Sequence, residues 1–124
     1  MNNKMSVVIV EPFKKPYAAE IGTEVEDMQR VVDGYIQAIY PFDDEAAIVC
    51  NEEGKLRRLP LNRVLRNEDG GICEVIAGTF MIVGEGEENF TSLSEEQIQT
   101  YIERFKNPEM VGMTNGKLIA VPLA

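Results

Sequence analysis

The sequence contains no histidine, and it contains only two cysteines, Cys50 and Cys73. Histidine is the commonest general base near neutral pH and a frequent metal ligand, so its absence makes a catalytic or metal site less expected. The cysteines form no CxxC motif, and both fall in apolar runs, which is typical of buried free thiols. We therefore expect a non-enzymatic protein with no catalytic residues, no metal and no cofactor.

The sequence also lacks a long hydrophobic run. Near its start the longest is Met5–Val10, far shorter than the roughly 20 residues that cross a bilayer. This run is too short for the core of a signal peptide, and no small-residue cleavage site follows it. We expect no contact with a membrane and a cytoplasmic location. The length of 124 residues predicts a single domain, 1–124.

Basic residues are scarce, with 12 lysines and arginines against 21 acidic residues and a formal charge of −9. A protein of this charge repels the phosphate backbone, so we expect no direct binding to nucleic acid. The same charge would allow the protein to imitate DNA.

Two capping boxes, Thr23 with Glu26 and Ser94 with Gln97, each precede apolar residues at helical spacing. They predict two main helices, the first from about 24 to 33. Apolar segments bounded by turn residues favour strands, and the turn at 51–54 predicts a returning strand after it. The predicted strands cover 6–11, 35–40, 46–51, 55–59 and 72–84.

Shorter signals complete the predicted fold. Pro60 should begin a short helix that carries Leu61 and Leu65, and Gly78 should mark a bulge or bend. Asn115-Gly116 favours a type I′ turn in a C-terminal hairpin, 108–124. The expected class is α+β: a mixed, mainly antiparallel sheet with both main helices packed on one face, followed by the β-hairpin. This hairpin could extend a sheet across a homo-oligomer.

Nearly half of the basic residues lie in one segment, KLRRLPLNRVLR at 55–66, which carries five positive charges and no negative one. Arginine forks bind phosphate and carboxylate oxygens, so a converging cluster would form a pocket for an anionic small ligand. The candidate binding residues are Lys55, Arg57, Arg58, Asn62, Arg63 and Arg66. The alternative is a solvated surface, with these arginines paired to the nearby acids 52, 53, 68 and 69.

Acidic residues form two blocks, one at 43–45 and one at 85–88 with 95–96. Carboxylates spaced like phosphates could occupy the nucleic-acid channel of a partner protein. The candidate residues for such partner binding are Asp43, Asp44, Glu85, Glu87 and Glu88. The alternative is ordinary loop solvation, and charges at a helix start account for 95 and 96.

Several motifs in order along the chain resemble the DUF3846 family: GYIQAIYPF (34–42), AIVCNEEGKL (47–56), LPLNR (59–63), IAGTFMIVG (76–84) and FTSLSEEQIQTYIERF (90–105). The resemblance covers about 7 to 105 and leaves out the C-terminal hairpin. It implies an origin in phages, plasmids or integrative elements of bacteria, and no established activity.

By analogy with small acidic phage proteins, we expect a protein that antagonises host defence. In the first hypothesis it sequesters an anionic, nucleotide-like ligand at the basic segment. In the second it is an acidic DNA mimic that inhibits a host nuclease, restriction or CRISPR effector. The first is preferred, because a mimic gains nothing from a segment with five positive charges. A regulatory or scaffold role within the element needs no special site and stays open.

Overall fold

The computed structural model describes residues 3–123. Its elements, in chain order, are β1 (Lys4–Val10), β2 (Tyr17–Gly22), α1 (Val25–Val32), β3 (Ile36–Ile39), β4 (Ala46–Asn51), β5 (Leu61–Arg66), β6 (Ile72–Ala77), β7 (Phe80–Glu85), β8 (Phe90–Thr91), α2 (Glu95–Arg104), β9 (Glu109–Thr114) and β10 (Lys117–Pro122). Neither of the helices in this range is long and apolar enough to cross a membrane.

The strands form one large sheet and two separate hairpins. The large sheet has the order β2-β1-β7-β4-β3, and the short strand β8 pairs with β7. The hairpins are β5–β6 and β9–β10. Every pairing of strands within residues 3–123 is antiparallel. The predicted α+β class, the mainly antiparallel sheet and the C-terminal hairpin are confirmed.

The large sheet is buried on both faces. Alternate residues of its central strands belong to different core clusters: Ile48 packs with Tyr101 and Phe105 around α2, whereas Val49 packs with Met28 of α1. The prediction that both helices lie on one face is therefore wrong. The physical reason is that strands such as β4 are buried at every position and apolar from Ala46 to Cys50, so each face of the sheet needs a cover.

Local signals placed both helices well. Ser94 and Gln97 form the predicted capping box of α2. At α1 the helix starts from Glu24, whose main-chain N–H donates to the Asp27 carboxylate at 3.1 Å, so the box lies one residue later than predicted. Gly22 leaves the space that this carboxylate occupies, since a Cβ there would overlap it.

The segment that contains the basic residues was predicted incorrectly. Residues 52–58 form turns instead of a strand, with Arg57 N–H donating to the Glu53 carbonyl at 2.8 Å. Leu61–Arg66 is strand β5 and not a short helix after Pro60. Pairing with β6 decides this conformation. Local sequence patterns did not reveal the pairing, because the partner residues lie about a dozen positions away in the chain.

Residues 72–84 form two strands in two different sheets. Gly78, at a φ of +84°, separates β6 from β7 and donates its N–H to the carbonyl of Pro60 at 2.7 Å. This left-handed conformation suits glycine, so the predicted bend is present and is sharp enough to change sheets.

Strand β2 was missed, because its residues had been assigned to a proline-containing loop and to the approach to α1. The Asn115-Gly116 turn has positive φ at both residues, as a type I′ turn requires.

Candidate functional site

Arg63 and Asn62 lie inside the protein, with exposed fractions of 2% and 0%. The Asn62 amide donates to the carbonyls of Val10 and Gly78, both at 2.9 Å. Its side-chain oxygen accepts a hydrogen bond from Nη1 of Arg63 at 2.8 Å. The two residues therefore act as a pair that joins β1, β5 and the bend before β7, and they do not face solvent as a ligand site would require.

The Arg63 guanidinium binds main-chain carbonyls. Nε and Nη2 donate to the carbonyl of Phe105 at 3.2 and 2.9 Å, and Nη2 also donates to the carbonyl of Lys14 at 2.8 Å. Phe105 is the residue at which α2 ends, where a cation is favoured by the helix dipole. Burial lowers the pKa of Arg63, and the nearby Glu109 carboxylate partly opposes this effect.

Arg57 has the same role at the other helix. It donates from Nη1 to the carbonyl of Asp33, the C-terminal cap of α1, at 2.5 Å. The buried Asn51 amide donates to the carbonyls of Val32 and Asp33 at 3.0 and 3.1 Å. The basic segment and its flank thus satisfy the last carbonyls of both helices.

The other candidate residues in the basic segment are exposed, and most have partners. Lys55 forms an ion pair with Glu74 at 2.5 Å, and Arg66 donates to the carbonyl of Gly70 at 2.9 Å. Arg58 has positive φ, and its main-chain N–H donates to the carbonyl of Lys55 at 3.1 Å. Within residues 3–123 its side chain forms no hydrogen bond or ion pair. The six residues do not converge into one pocket, and their partners are not the nearby acids named in the sequence-based alternative.

The acidic residues, in contrast, are brought together. The Glu85 N–H donates to the Glu45 carbonyl at 3.0 Å, which joins the two acidic blocks at one end of the large sheet. Gln97, in the first turn of α2, donates to the carboxylate of Asp44 at 3.2 Å. We call this surface the acidic end. Its exposed members are Asp43, Asp44, Glu45, Glu85, Glu87, Glu88, Glu95 and Glu96.

Tyr101 anchors the acidic end to the core. Its hydroxyl donates to the Asp44 carboxylate at 2.5 Å, and its ring lies 4.6 Å from that of Phe42. The hydrogen bond from Tyr101 is the main reason that the pKa of Asp44 is lowered, so this carboxylate stays charged at neutral pH. Burial, followed by the Asp44 contact, raises the pKa of Tyr101. The loop before β4 is therefore held in place with its charges exposed.

A groove of about 450 Å³ opens beside the acidic end, between α1, β3 and the turn that joins β7 to β8. We call it the Tyr40 groove. Its apolar side chains are Val25, Met28, Ile36, Tyr40 and Phe90. Glutamates 85, 87 and 88 line the same groove, and within residues 3–123 no lysine or arginine does.

A second cavity, of about 250 Å³, lies between β3 and β6. Cys50 lines it together with the Lys55–Glu74 ion pair. Burial and the charge of Glu74 raise the pKa of the Cys50 thiol, so it is a poor nucleophile at neutral pH. Cys50 is buried as expected, whereas Cys73 is exposed, contrary to expectation.

The residues that sequence reasoning missed are partners from distant parts of the chain. Asp33, Glu74 and Phe105 each bind a residue of the basic segment, and no local pattern points to them. Glu45 was seen in its block, but its link to Glu85 needed the pairing of β4 with β7. Within the part that the structure describes, no group of three or more Cys, Asp or Glu side chains is arranged to hold a metal ion.

Comparison with known families gave one match. The family model described as a domain of unknown function (DUF3846) matches residues 5–106. The searches of curated proteins and of solved structures found no match. The matched range contains the basic segment and the whole acidic end, and it stops before the β9–β10 hairpin. The family resemblance seen in the sequence is thereby confirmed.

Proposed function

The chain belongs to the DUF3846 family, and for this member we propose a non-enzymatic role: it binds a partner protein through the acidic end. The partner has a basic surface of the kind that holds nucleic acid, such as that of a host nuclease, restriction enzyme or CRISPR effector. The setting is the cytoplasm of a bacterium that carries a phage or another mobile element. This part of the proposal rests on the family resemblance alone.

The observation that carries the proposal is the convergence of three acidic segments. Residues 43–45, 85–88 and 95–96 are separated in the sequence, and main-chain and side-chain hydrogen bonds hold them at one end of the sheet. Bringing like charges together opposes folding through their repulsion. A fold that nevertheless gathers them is better explained by a binding function than by ordinary surface solvation. A field of this sign attracts a basic protein and speeds their encounter.

Sequestration of an anionic small ligand at the basic segment is the weaker candidate. Asn62 and Arg63 are buried, and within residues 3–123 every buried polar side-chain atom already has a partner. A phosphate would have to displace those internal hydrogen bonds, and the loss would leave buried groups unpaired. Arg58 is the candidate residue that is best placed to meet such a ligand.

The test is a pull-down from bacterial extract with the full chain as bait, followed by identification of the retained protein by mass spectrometry. The variant changes Glu85, Glu87 and Glu88 to glutamine. The matched control changes Glu53→Gln, Glu68→Gln and Asp69→Asn, three exposed acids outside the acidic end that have no side-chain partner among the described residues. Both sets remove three negative charges.

We expect the acidic-end variant to lose the partner and the control to keep it. Raising the salt concentration and adding short duplex DNA should each release the partner, since both compete for its basic surface. Equal retention by the two variants, or a complex that resists salt, would overturn the proposal. Native mass spectrometry that shows an added mass of a few hundred daltons, lost in Arg58→Ala, would favour sequestration instead.

A further inference from the structure

The Tyr40 groove differs from the rest of the acidic end because it combines negative charge with exposed apolar surface. Its walls include Val25 and Tyr40, with exposed fractions of 49% and 59%. Met28, which is buried, closes the groove at its base. Exposed apolar side chains around a concave surface are typical of a binding site, because another molecule can bury apolar surface there.

The charge of the groove selects its occupant. Glu85, Glu87 and Glu88 line it and are exposed, and no basic residue of the described chain compensates them there. An anionic or purely apolar group would leave the negative charge of these glutamates uncompensated. A cation with an apolar stem fits both properties, because the stem can cover the apolar wall while the charged head reaches the glutamates.

Between the two long cationic side chains, the tyrosine favours arginine. A guanidinium is planar and weakly hydrated, it stacks on aromatic rings, and it binds carboxylates through two parallel hydrogen bonds. Arginine is also enriched among the residues that dominate the energy of protein interfaces.

We infer that the Tyr40 groove binds an arginine side chain of the partner protein. The inference rests on the proposed function, which it makes more specific: the acidic end supplies attraction over its whole area, and the groove supplies the anchoring contact.

The experiment uses the full chain labelled with ¹⁵N and three blocked tripeptides, acetyl-Ala-Xaa-Ala-amide, in which Xaa is arginine, citrulline or lysine. Citrulline keeps the shape of arginine and removes its charge. Amide shifts of residues around the groove are followed to saturation. We expect the arginine peptide to bind with a Kd on the order of 1 mM, as suits one side chain, and citrulline to bind at least about tenfold more weakly.

Two matched pairs of variants test the position of the site. Val25→Arg supplies the groove with a guanidinium from the chain itself and should abolish binding of the arginine peptide. Val121→Arg, at a site 55% exposed on the C-terminal hairpin, should leave it unchanged. Tyr40→Ala should weaken binding by about 2- to 5-fold, the value of an exposed cation–π contact. Tyr35→Ala, 65% exposed and outside the groove, should not.

Equal shifts with citrulline, equal weakening by both valine variants, or shifts spread evenly over residues 43–45 and 95–96 would overturn the inference. The pull-down separates this failure from failure of the proposed function. If Val25→Arg keeps the partner while the triple glutamine variant loses it, the acidic end is the binding surface and the groove is not its anchor. If neither variant loses the partner, both proposals are wrong.

Discussion

Arg63 of β5 donates two hydrogen bonds to the carbonyl of Phe105, 42 residues later in the chain, where α2 ends. A charged side chain in the interior is tolerated here because each of its nitrogens meets a fixed oxygen. The same contacts explain why an acidic protein concentrates arginines in one segment. Arg57 and Arg63 each donate to a carbonyl at the end of a helix, and Arg63 is also buried.

Arg63→Ala should lower the free energy of unfolding by about 3 kcal/mol, since it removes the donors of two buried acceptors, the carbonyl of Phe105 and the side-chain oxygen of Asn62. Arg63→Lys should cost nearly as much, because an ammonium group cannot reproduce the planar fork. Arg58→Ala is the control and should change stability by less than about 0.5 kcal/mol. Urea unfolding measures all three. A stable Arg63→Ala protein would contradict the structural role of this arginine.

Gly78→Ala should be more destabilising than Gly70→Ala, although both glycines have a φ of +84°. A Cβ at 78 would lie 2.8 Å from Cδ1 of Leu59, whereas at 70 nothing lies within 4 Å. Gly70→Ala, the control, should therefore lower the free energy of unfolding only by the backbone cost of about 1 kcal/mol. Gly78→Ala should lower it further, because its Cβ also disturbs the packing of Leu59. Thermal unfolding of the pair separates the two costs. Equal losses would mean that Leu59 moves aside freely.

Tyr101→Phe should lower stability at neutral pH by roughly 1 kcal/mol, through loss of the hydrogen bond to Asp44. The lowered pKa of Asp44 makes its contribution present above its unfolded pKa, and this contribution is lost as pH falls through the folded value. Stability of the wild-type chain should thus decline below about pH 4, and the variant should decline less steeply. Urea midpoints from pH 7 down to pH 2 measure the difference. Parallel pH curves would assign the acid sensitivity to other carboxyl groups.

Glutamine at 85, 87 and 88 should raise the melting temperature at low salt, because the acidic end then repels itself less. The control variant at 53, 68 and 69 should show a smaller rise, or none, since those acids lie near the cations of the basic segment. The difference should vanish at 1 M salt, where screening acts within about 3 Å. Calorimetry at two salt concentrations tests this. A loss of stability in the acidic-end variant would mean that those glutamates have a structural role.

Glu109→Ala should loosen the contact between β5 and the C-terminal hairpin. The Glu109 carboxylate accepts a hydrogen bond from the main-chain N–H of Val64 at 3.0 Å, in place of a neighbouring strand. Glu109→Gln keeps an acceptor at that position and should change little. Hydrogen exchange at the Val64 amide measures the effect: it should speed up in the alanine variant and not in the glutamine variant. Unchanged exchange in both would show that the hairpin is held by other contacts.

Local sequence patterns were sufficient to predict the structural elements that depend on contacts over a few residues. The Ser94–Gln97 capping box, the Asn115-Gly116 turn and the apolar run of β4 each contain their own structural signal, and each is present as predicted. The five ordered motifs between 34 and 105 were also enough to indicate the family. Composition determined the net charge of −9.

Tertiary structure decided which side chains meet. Residues 61–66 are a strand because β6 pairs with them, although Pro60 and the spacing of Leu61 and Leu65 favoured a helix. Whether Arg63 faced a ligand or a helix end depended on where α2 stopped in space. The sequence by itself determined the charges and most elements, because these follow from contacts over a few residues. Tertiary contacts determined that Arg63 is used internally and that the acidic segments share one surface, because those contacts join residues about 40 apart or more.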